Sequence, residues 1–140
     1  MVGITAVGAF GASATVAAQQ AKSQWDGVYT QEQANRGEAL YSEQCASCHG
    51  PDLGGGEMAP GLTGNEFAAN WNDLSLGDLF ERMRIGMPQN NPGSLRRAQN
   101  VDILSFILLK GKFPTGKAEL PPQVEVLNTI KFVAIKPSAQ

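Results

Sequence analysis

Three stretches of the chain place apolar side chains three and four positions apart, the pattern of a helix that buries one side. These stretches predict helices over residues 30–45, 75–86 and 97–110. Long irregular segments separate them, so the predicted fold class is all-α with three main helices. The inward positions of the three helices are Ala34, Gly37, Leu40, Tyr41 and Gln44, then Leu76, Leu79, Phe80 and Met83, and finally Val101, Leu104, Ile107 and Leu108.

Capping residues support the ends assigned to these helices. Thr30 with Gln33, and Ser75 with Asp78, have the spacing of a capping box, in which each side chain bonds the backbone near the other. Gly111 follows the third helix, where glycine commonly ends one. Hydrogen-bonding chemistry and hydrophobic spacing therefore predict the same boundaries.

The segments outside the helices are rich in residues that favour loops. Residues 50–64 contain six glycines and two prolines, and residues 90–93 predict a second loop. Three prolines precede the run VEVLNTIKFVAI (124–135), for which we predict a short helix followed by an extended strand. We predict one domain over residues 22–113 and a C-terminal extension, residues 114–140, that packs on it or flanks it.

The first 21 residues carry no charge and consist mainly of small apolar side chains. Val16, Ala17 and Ala18 fit a small-residue cleavage site, so residues 1–21 predict a secretory signal that is cut near Ala18. No basic residue precedes the apolar stretch, which departs from the usual signal pattern. An uncleaved anchor is the alternative, although the glycine, alanine, serine and threonine content is unfavourable for a membrane helix. Export predicts a periplasmic protein without stable membrane insertion.

Composition narrows the possible functions. The 140 residues suit one domain, and 11 basic against 13 acidic side chains give no basic field for nucleic acid. With 16 glycines and 8 prolines, so small a chain needs a disulfide, a metal or a bound cofactor to stabilise its core. Two cysteines and one histidine exclude a zinc site built from four Cys and His ligands.

Charge is distributed unevenly along the chain. Residues 1–80 hold two basic and nine acidic side chains, whereas residues 81–140 hold nine basic and four acidic ones. A solvated surface is the simpler interpretation of each charge. The alternative is a dipolar molecule that orients as it docks, with four arginines near one face. These arginines are Arg82, Arg84, Arg96 and Arg97.

Both cysteines and the only histidine lie within five residues, Cys45-Ala46-Ser47-Cys48-His49. C-x-x-C-H is the attachment motif of c-type haem: the thiols form thioethers to the two vinyl groups, and the adjacent imidazole becomes an axial ligand. A thioredoxin-like dithiol would need a βαβ context that the pattern lacks. A disulfide across so short a loop would stabilise little. We therefore predict one haem c, linked to Cys45 and Cys48 with His49 on the iron.

The chain resembles class I cytochromes c over residues 31–111. Gly37 and Tyr41 on the first helix, with Ile103 and Phe106 on the last, match the pairs that pack where the terminal helices cross in that family. Pro60-Gly61-Leu62-Thr63-Gly64 is similar to the P-x-L-x-G segment of the family. That resemblance implies that the Pro60 carbonyl accepts the imidazole N–H and orients the ring.

A narrower resemblance is to the small cytochromes associated with quinoprotein (PQQ) alcohol dehydrogenases. It rests on WDGVYT (25–30), RGEALY (36–41), the Met-Pro loop followed by NPGSL (91–95), and KFP (112–114). This resemblance implies a redox partner that is a PQQ dehydrogenase, with a terminal oxidase or another cytochrome as the electron acceptor.

With His49 assigned to one side of the iron, the second axial ligand is a methionine, a lysine or none. Met87 lies 38 residues beyond His49, just after the helix and before Pro88, and Met-Pro also matches the distal ligand of the family. Met83 belongs to the apolar stripe, and Met58 lies on the loop that carries Pro60. We predict Met87, with Met83, Met58 and an open iron site as alternatives.

Trp71 is a candidate for the floor of the haem pocket, its N–H near a propionate, and equally for an ordinary core aromatic. Arg82 and Arg84 are candidates for propionates or for a partner surface. Three functions remain open. The first is a single-electron carrier with His/Met ligation, and the second is a haem enzyme, either a small peroxidase or a ligand-binding haem protein, with a displaceable methionine. The third is a non-redox interaction module, which would require that the protein carry no haem. Six-coordination leaves no iron site for substrate and favours the carrier.

Overall fold

A computed structural model describes residues 22–138, so the predicted signal peptide lies outside the described residues. Within this part of the chain, no helix has both the length and the hydropathy needed to cross a membrane. The described elements are β1 (Lys22–Ser23), a 3-10 turn (Gln24–Asp26), α1 (Gln31–Gln44), α2 (Ala46–His49), α3 (Gly64–Trp71), α4 (Leu76–Gly86), α5 (Arg97–Lys110), α6 (Val124–Leu127) and β2 (Ile130–Lys131).

The structure confirms an all-α fold and contains the three predicted helices as α1, α4 and α5. The structure also contains α3, a shorter helix of eight residues that the hydrophobic pattern did not predict. This helix begins at a glycine, its N-cap Thr63 makes no side-chain cap bond, and only Phe67 is fully buried. Its formation therefore depends on tertiary packing rather than on a local signal.

α1 and α5 cross at Gly37, as the resemblance implied. A Cβ on Gly37 would lie 1.9 Å from the carbonyl oxygen of Asp102, so only glycine lets the two backbones approach this closely. One turn further along, the rings of Tyr41 and Phe106 are 5.3 Å apart. The predicted packing of this helix pair is confirmed.

The predicted capping box at Thr30 is only half present. Its hydroxyl oxygen accepts the backbone N–H of Gln33 at 3.1 Å. The Gln33 side chain does not return this bond, because it is paired with the backbone of Leu120: its amide donates to the carbonyl at 2.8 Å, and its oxygen accepts the N–H at 2.8 Å. The reciprocal box is present at Ser75 and Asp78.

The C-terminal strap, residues 120–134, completes the core. The short helix and following strand predicted here are present as α6 and β2. Leu120, Leu127, Ile130 and Phe132 are almost fully buried. β2 pairs in parallel with β1, so the strap joins the first described residues to the core.

Candidate haem-attachment site

The two cysteines occupy a single helical turn at the end of α1. Cys45 caps α1, and its N–H donates to the carbonyl of Tyr41 at 2.9 Å. The N–H groups of Cys48 and His49 both donate to the carbonyl of Cys45, at 3.2 and 3.0 Å. Side chains three apart on a turn point to the same side, so this geometry presents both thiols together.

The two thiols differ in environment. Cys45 is partly buried, whereas Cys48 is exposed, and neither forms a disulfide. Burial raises the pKa of the Cys45 thiol to about 11, because the interior disfavours the thiolate. Thioether formation would remove this ionisation, so an apolar setting suits Cys45 as a linked residue.

The His49 ring is buried and held by a backbone acceptor. Its Nδ1 lies 2.8 Å from the carbonyl oxygen of Pro60, the bond that the cytochrome resemblance implied. Nε2 makes no hydrogen bond within residues 22–138. Because one ring nitrogen donates to a carbonyl, the other keeps the lone pair that a metal requires.

The loop that brings Pro60 back to His49 requires a glycine. Gly55 has a φ of +78°, and a Cβ there would lie 2.4 Å from the backbone nitrogen of Gly61. Its N–H also donates to the carbonyl of His49 at 2.7 Å. The sequence pattern identified this stretch only as irregular, because glycine content does not show which glycine makes the close contact.

Tyr41 has a second role that the hydrophobic pattern did not show. Its hydroxyl donates to the carbonyl of Gly50 at 2.6 Å and so fixes the chain as it leaves the C-x-x-C-H segment. Burial raises the pKa of Tyr41 to about 12, so the hydroxyl remains a donor at neutral pH. The only sequence signal for this role was the spacing between Tyr41 and His49, and such spacing does not show which group the tyrosine hydroxyl bonds.

The three candidate methionines lie in different environments. Met87 is the C-cap of α4, partly buried and in an extended conformation, with its N–H on the carbonyl of Met83 at 2.9 Å. Its own carbonyl accepts the N–H of Gly93 at 3.3 Å. Met83 packs against the core, whereas Met58 is 81 % exposed. Met87 as the axial ligand remains a prediction.

Trp71 is the last residue of α3 and packs against the core, with its ring 6.2 Å from Phe67.

Arg84 forms two 2.7 Å hydrogen bonds to Glu81, which lower the pKa of that carboxyl and raise the pKa of the guanidinium. Arg82 is exposed and forms no ion pair in residues 22–138. Of these two arginines, only Arg82 therefore has its charge available for a propionate or a partner.

These donors fit a covalently held haem. The site offers two thiols on one turn and an imidazole with one nitrogen bonded to a carbonyl and the other free. Two thioethers and an adjacent axial histidine are the attachment chemistry of a cytochrome c. Together with the helical fold, this donor set defines a class I monohaem c-type cytochrome.

Comparison with known proteins agrees with this class. Residues 32–107 match the family described as "Cytochrome C oxidase, cbb3-type, subunit III", which is more than half of the chain. The chain belongs to this family of cytochrome c domains and therefore binds haem c covalently, with Cys45 and Cys48 at the attachment spacing.

No curated protein matches the chain. A solved structure that is similar to part of it is "Crystal Structure of the Sulfane Dehydrogenase SoxCD from Paracoccus pantotrophus". The match has 20% sequence identity and a TM-score of 0.46, and it covers 71% of this chain. The chain spans 60% of the length of that protein chain.

Proposed function

We propose that this protein is a periplasmic carrier of single electrons whose haem has His49 and Met87 as axial ligands. In this proposal it accepts electrons one at a time from a quinoprotein dehydrogenase and passes each to a terminal oxidase or another cytochrome. The observation that best supports it is the His49–Pro60 hydrogen bond at 2.8 Å, which orients an imidazole next to two attachment cysteines.

Each residue has a defined task in this proposal. Cys45 and Cys48 attach the haem, and Pro60 holds the His49 ring in one tautomer and orientation. Met87 supplies a soft thioether, which favours the reduced state and raises the potential. The bound haem supplies a reversible one-electron couple, and full coordination leaves no position for a substrate.

The surface charges favour oriented docking with a redox partner. Nine of the 11 basic side chains follow residue 80, whereas nine of the 13 acidic ones precede residue 81. Glu81 partly offsets the charges of Arg84 and Arg97, at 2.7 and 3.9 Å, whereas Arg82 forms no ion pair within residues 22–138 and is the arginine proposed to meet a partner. In this proposal the asymmetry along the chain corresponds to a dipole in space, which would speed encounter with a charged partner at low salt.

Optical spectroscopy of protein expressed with haem-attachment machinery tests the ligation. The oxidised protein should show the weak long-wavelength band of methionine-ligated ferric haem, and Met87→Ala should abolish it. Met58→Ala is the matched control, because this side chain is 81 % exposed and its loss should leave the band intact. Survival of the band in Met87→Ala, or its loss in Met58→Ala, would contradict the assignment.

The same preparation tests the enzyme alternative. A carrier should be low-spin when oxidised and bind cyanide or carbon monoxide only slowly. A high-spin spectrum with immediate ligand binding would instead indicate a peroxidase or a ligand-binding haem protein with a displaceable methionine. Reduction by a purified quinoprotein alcohol dehydrogenase with its alcohol substrate tests the partner, since no reduction above the rate without dehydrogenase would reject it.

A further inference from the structure

The helix that ends at Met87 is held at its opposite end by the C-terminal strap. α4 runs from Leu76 to Gly86, so an 11-residue rod separates its N-terminus from the candidate ligand. Such a helix is about 16 Å long. A small tilt at one end therefore displaces the other, and whatever fixes the N-terminus also influences the position of Met87.

Gly77, in the first turn of α4, lies against Asn128 of the strap. A Cβ on Gly77 would lie 1.9 Å from Oδ1 and 3.0 Å from the backbone nitrogen of Asn128. The hydroxyl of the α4 N-cap, Ser75, lies 3.1 Å from Asn128 Oδ1 and 2.8 Å from Asp78 Oδ2, and it shares its proton between these two acceptors. Asn128 therefore both contacts the first turn of α4 and bonds to its cap.

Backbone pairing joins the strap to the chain just before α4. The N–H of Phe132 donates to the carbonyl of Leu74 at 2.7 Å, and the N–H of Asp73 donates to the carbonyl of Phe132 at 2.8 Å. The N–H of Ala134 donates to Oδ1 of Asn72 at 2.8 Å. With the Phe132 side chain buried, this pairing anchors the start of α4 to the core.

The histidine side of the site is held by different elements. His49 follows α1, and α1 packs along α5. α4 also packs on α5, but its other described neighbours include α6 and β2, both of which belong to the strap. The distance between His49 and Met87 therefore depends on how the strap positions α4 against the α1–α5 pair.

We propose that the C-terminal strap, through Asn128 packed on Gly77, positions Met87 for the haem iron. Asn128 and Gly77 act as positioning residues in this arrangement, since neither is placed at the iron. The inference rests on the ligation proposed above. It predicts that loosening the strap weakens the methionine ligand while leaving haem attachment intact.

Imidazole competes with a distal methionine for ferric haem, so its affinity measures how firmly that ligand is held. In the oxidised holoprotein, Gly77→Ala should displace the Asn128 amide from Ser75, tighten imidazole binding by roughly fivefold, which corresponds to the loss of one hydrogen bond, and weaken the methionine band. Asn128→Ala, which removes both the side-chain contact with Gly77 and the hydrogen bond with Ser75, should change both readouts in the same direction as Gly77→Ala. Glu125→Ala, an exposed position on α6, is the control and should change neither.

Combination with Met87→Ala separates this inference from the ligation itself. If the strap acts through Met87, Gly77→Ala should leave imidazole affinity unchanged in the Met87→Ala background. If Gly77→Ala shifts the imidazole affinity equally in both backgrounds, or in neither, the strap proposal is wrong. The ligation is judged separately, and loss of the methionine band in Met87→Ala supports it. If Met87→Ala keeps the band, the ligation fails and the strap proposal fails with it.

A second variant serves if Gly77→Ala does not accumulate as holoprotein. Phe132→Leu shortens a buried strap residue without changing α4 itself, and it should also tighten imidazole binding and weaken the band. A general loss of stability would lower the free energy of unfolding in urea but leave both spectroscopic readouts unchanged. That result for both variants would overturn the proposal.

Discussion

Replacing Gly37 with alanine tests the helix crossing on which the haem-attachment turn depends. The new Cβ would lie 1.9 Å from the carbonyl oxygen and 2.5 Å from the carbonyl carbon of Asp102, and 3.0 Å from the nitrogen of Ile103. All three are backbone atoms, so no side-chain rotation relieves the contact. The helices must separate by roughly 1.5 Å to restore ordinary van der Waals distances.

The net effect is the difference between two opposing terms. Overpacking of this severity costs about 3 kcal/mol, and the better helix propensity of alanine returns about 1 kcal/mol. We therefore expect Gly37→Ala to lower the free energy of unfolding by about 2 kcal/mol, or the Tm by roughly 5–10 °C. The Tyr41–Phe106 ring contact at 5.3 Å should loosen at the same time.

Urea unfolding of the holoprotein, followed by far-ultraviolet circular dichroism, measures this difference. The matched control is Gly86→Ala, another helical glycine, where the nearest atom to a new Cβ is Nη1 of Arg82 at an ordinary 3.6 Å. That variant should be as stable as wild type, or more stable by up to about 1 kcal/mol. Wild-type stability in Gly37→Ala would refute the reasoning, because the close approach would then be accommodated without cost.

Two further predictions concern hydrogen bonds. Gln33→Ala should lower the free energy of unfolding in urea by about 3 kcal/mol, because it leaves the buried N–H and carbonyl of Leu120 without partners. The control, Gln31→Ala on the exposed face, should lower it little, and equal losses in the two variants would contradict this reasoning. Asp78→Asn should cost about 0.5–1 kcal/mol at pH 7, since it removes a charge-assisted cap. The Ser75 backbone N–H and hydroxyl hold the pKa of Asp78 below 3.8, so the carboxylate's contribution is complete above that pH and is lost as the pH falls through the lowered pKa. Wild type and Asp78→Asn should therefore converge in acid, and a constant difference at every pH would contradict the cap assignment.

The sequence by itself determined the features that depend on residues within one or two helical turns. The capping box at Ser75, the ends of α5 and the C-x-x-C-H spacing involve neighbours along the chain. A helix repeats its geometry every few residues, so the hydrophobic stripe and the cap are visible without knowledge of the rest of the fold. The haem class followed from this local chemistry.

Only the tertiary structure decided the contacts between distant segments. Gln33 was predicted to complete a local cap, but its amide instead bonds Leu120, 87 residues away. α3 forms because Phe67 packs into the core, and Asn128 reaches Gly77 only after the strap has folded across the domain. A buried polar group bonds with a partner that the complete fold brings within reach, and a glycine on a helix allows close approach by whichever segment packs there. In both cases sequence spacing does not identify the partner.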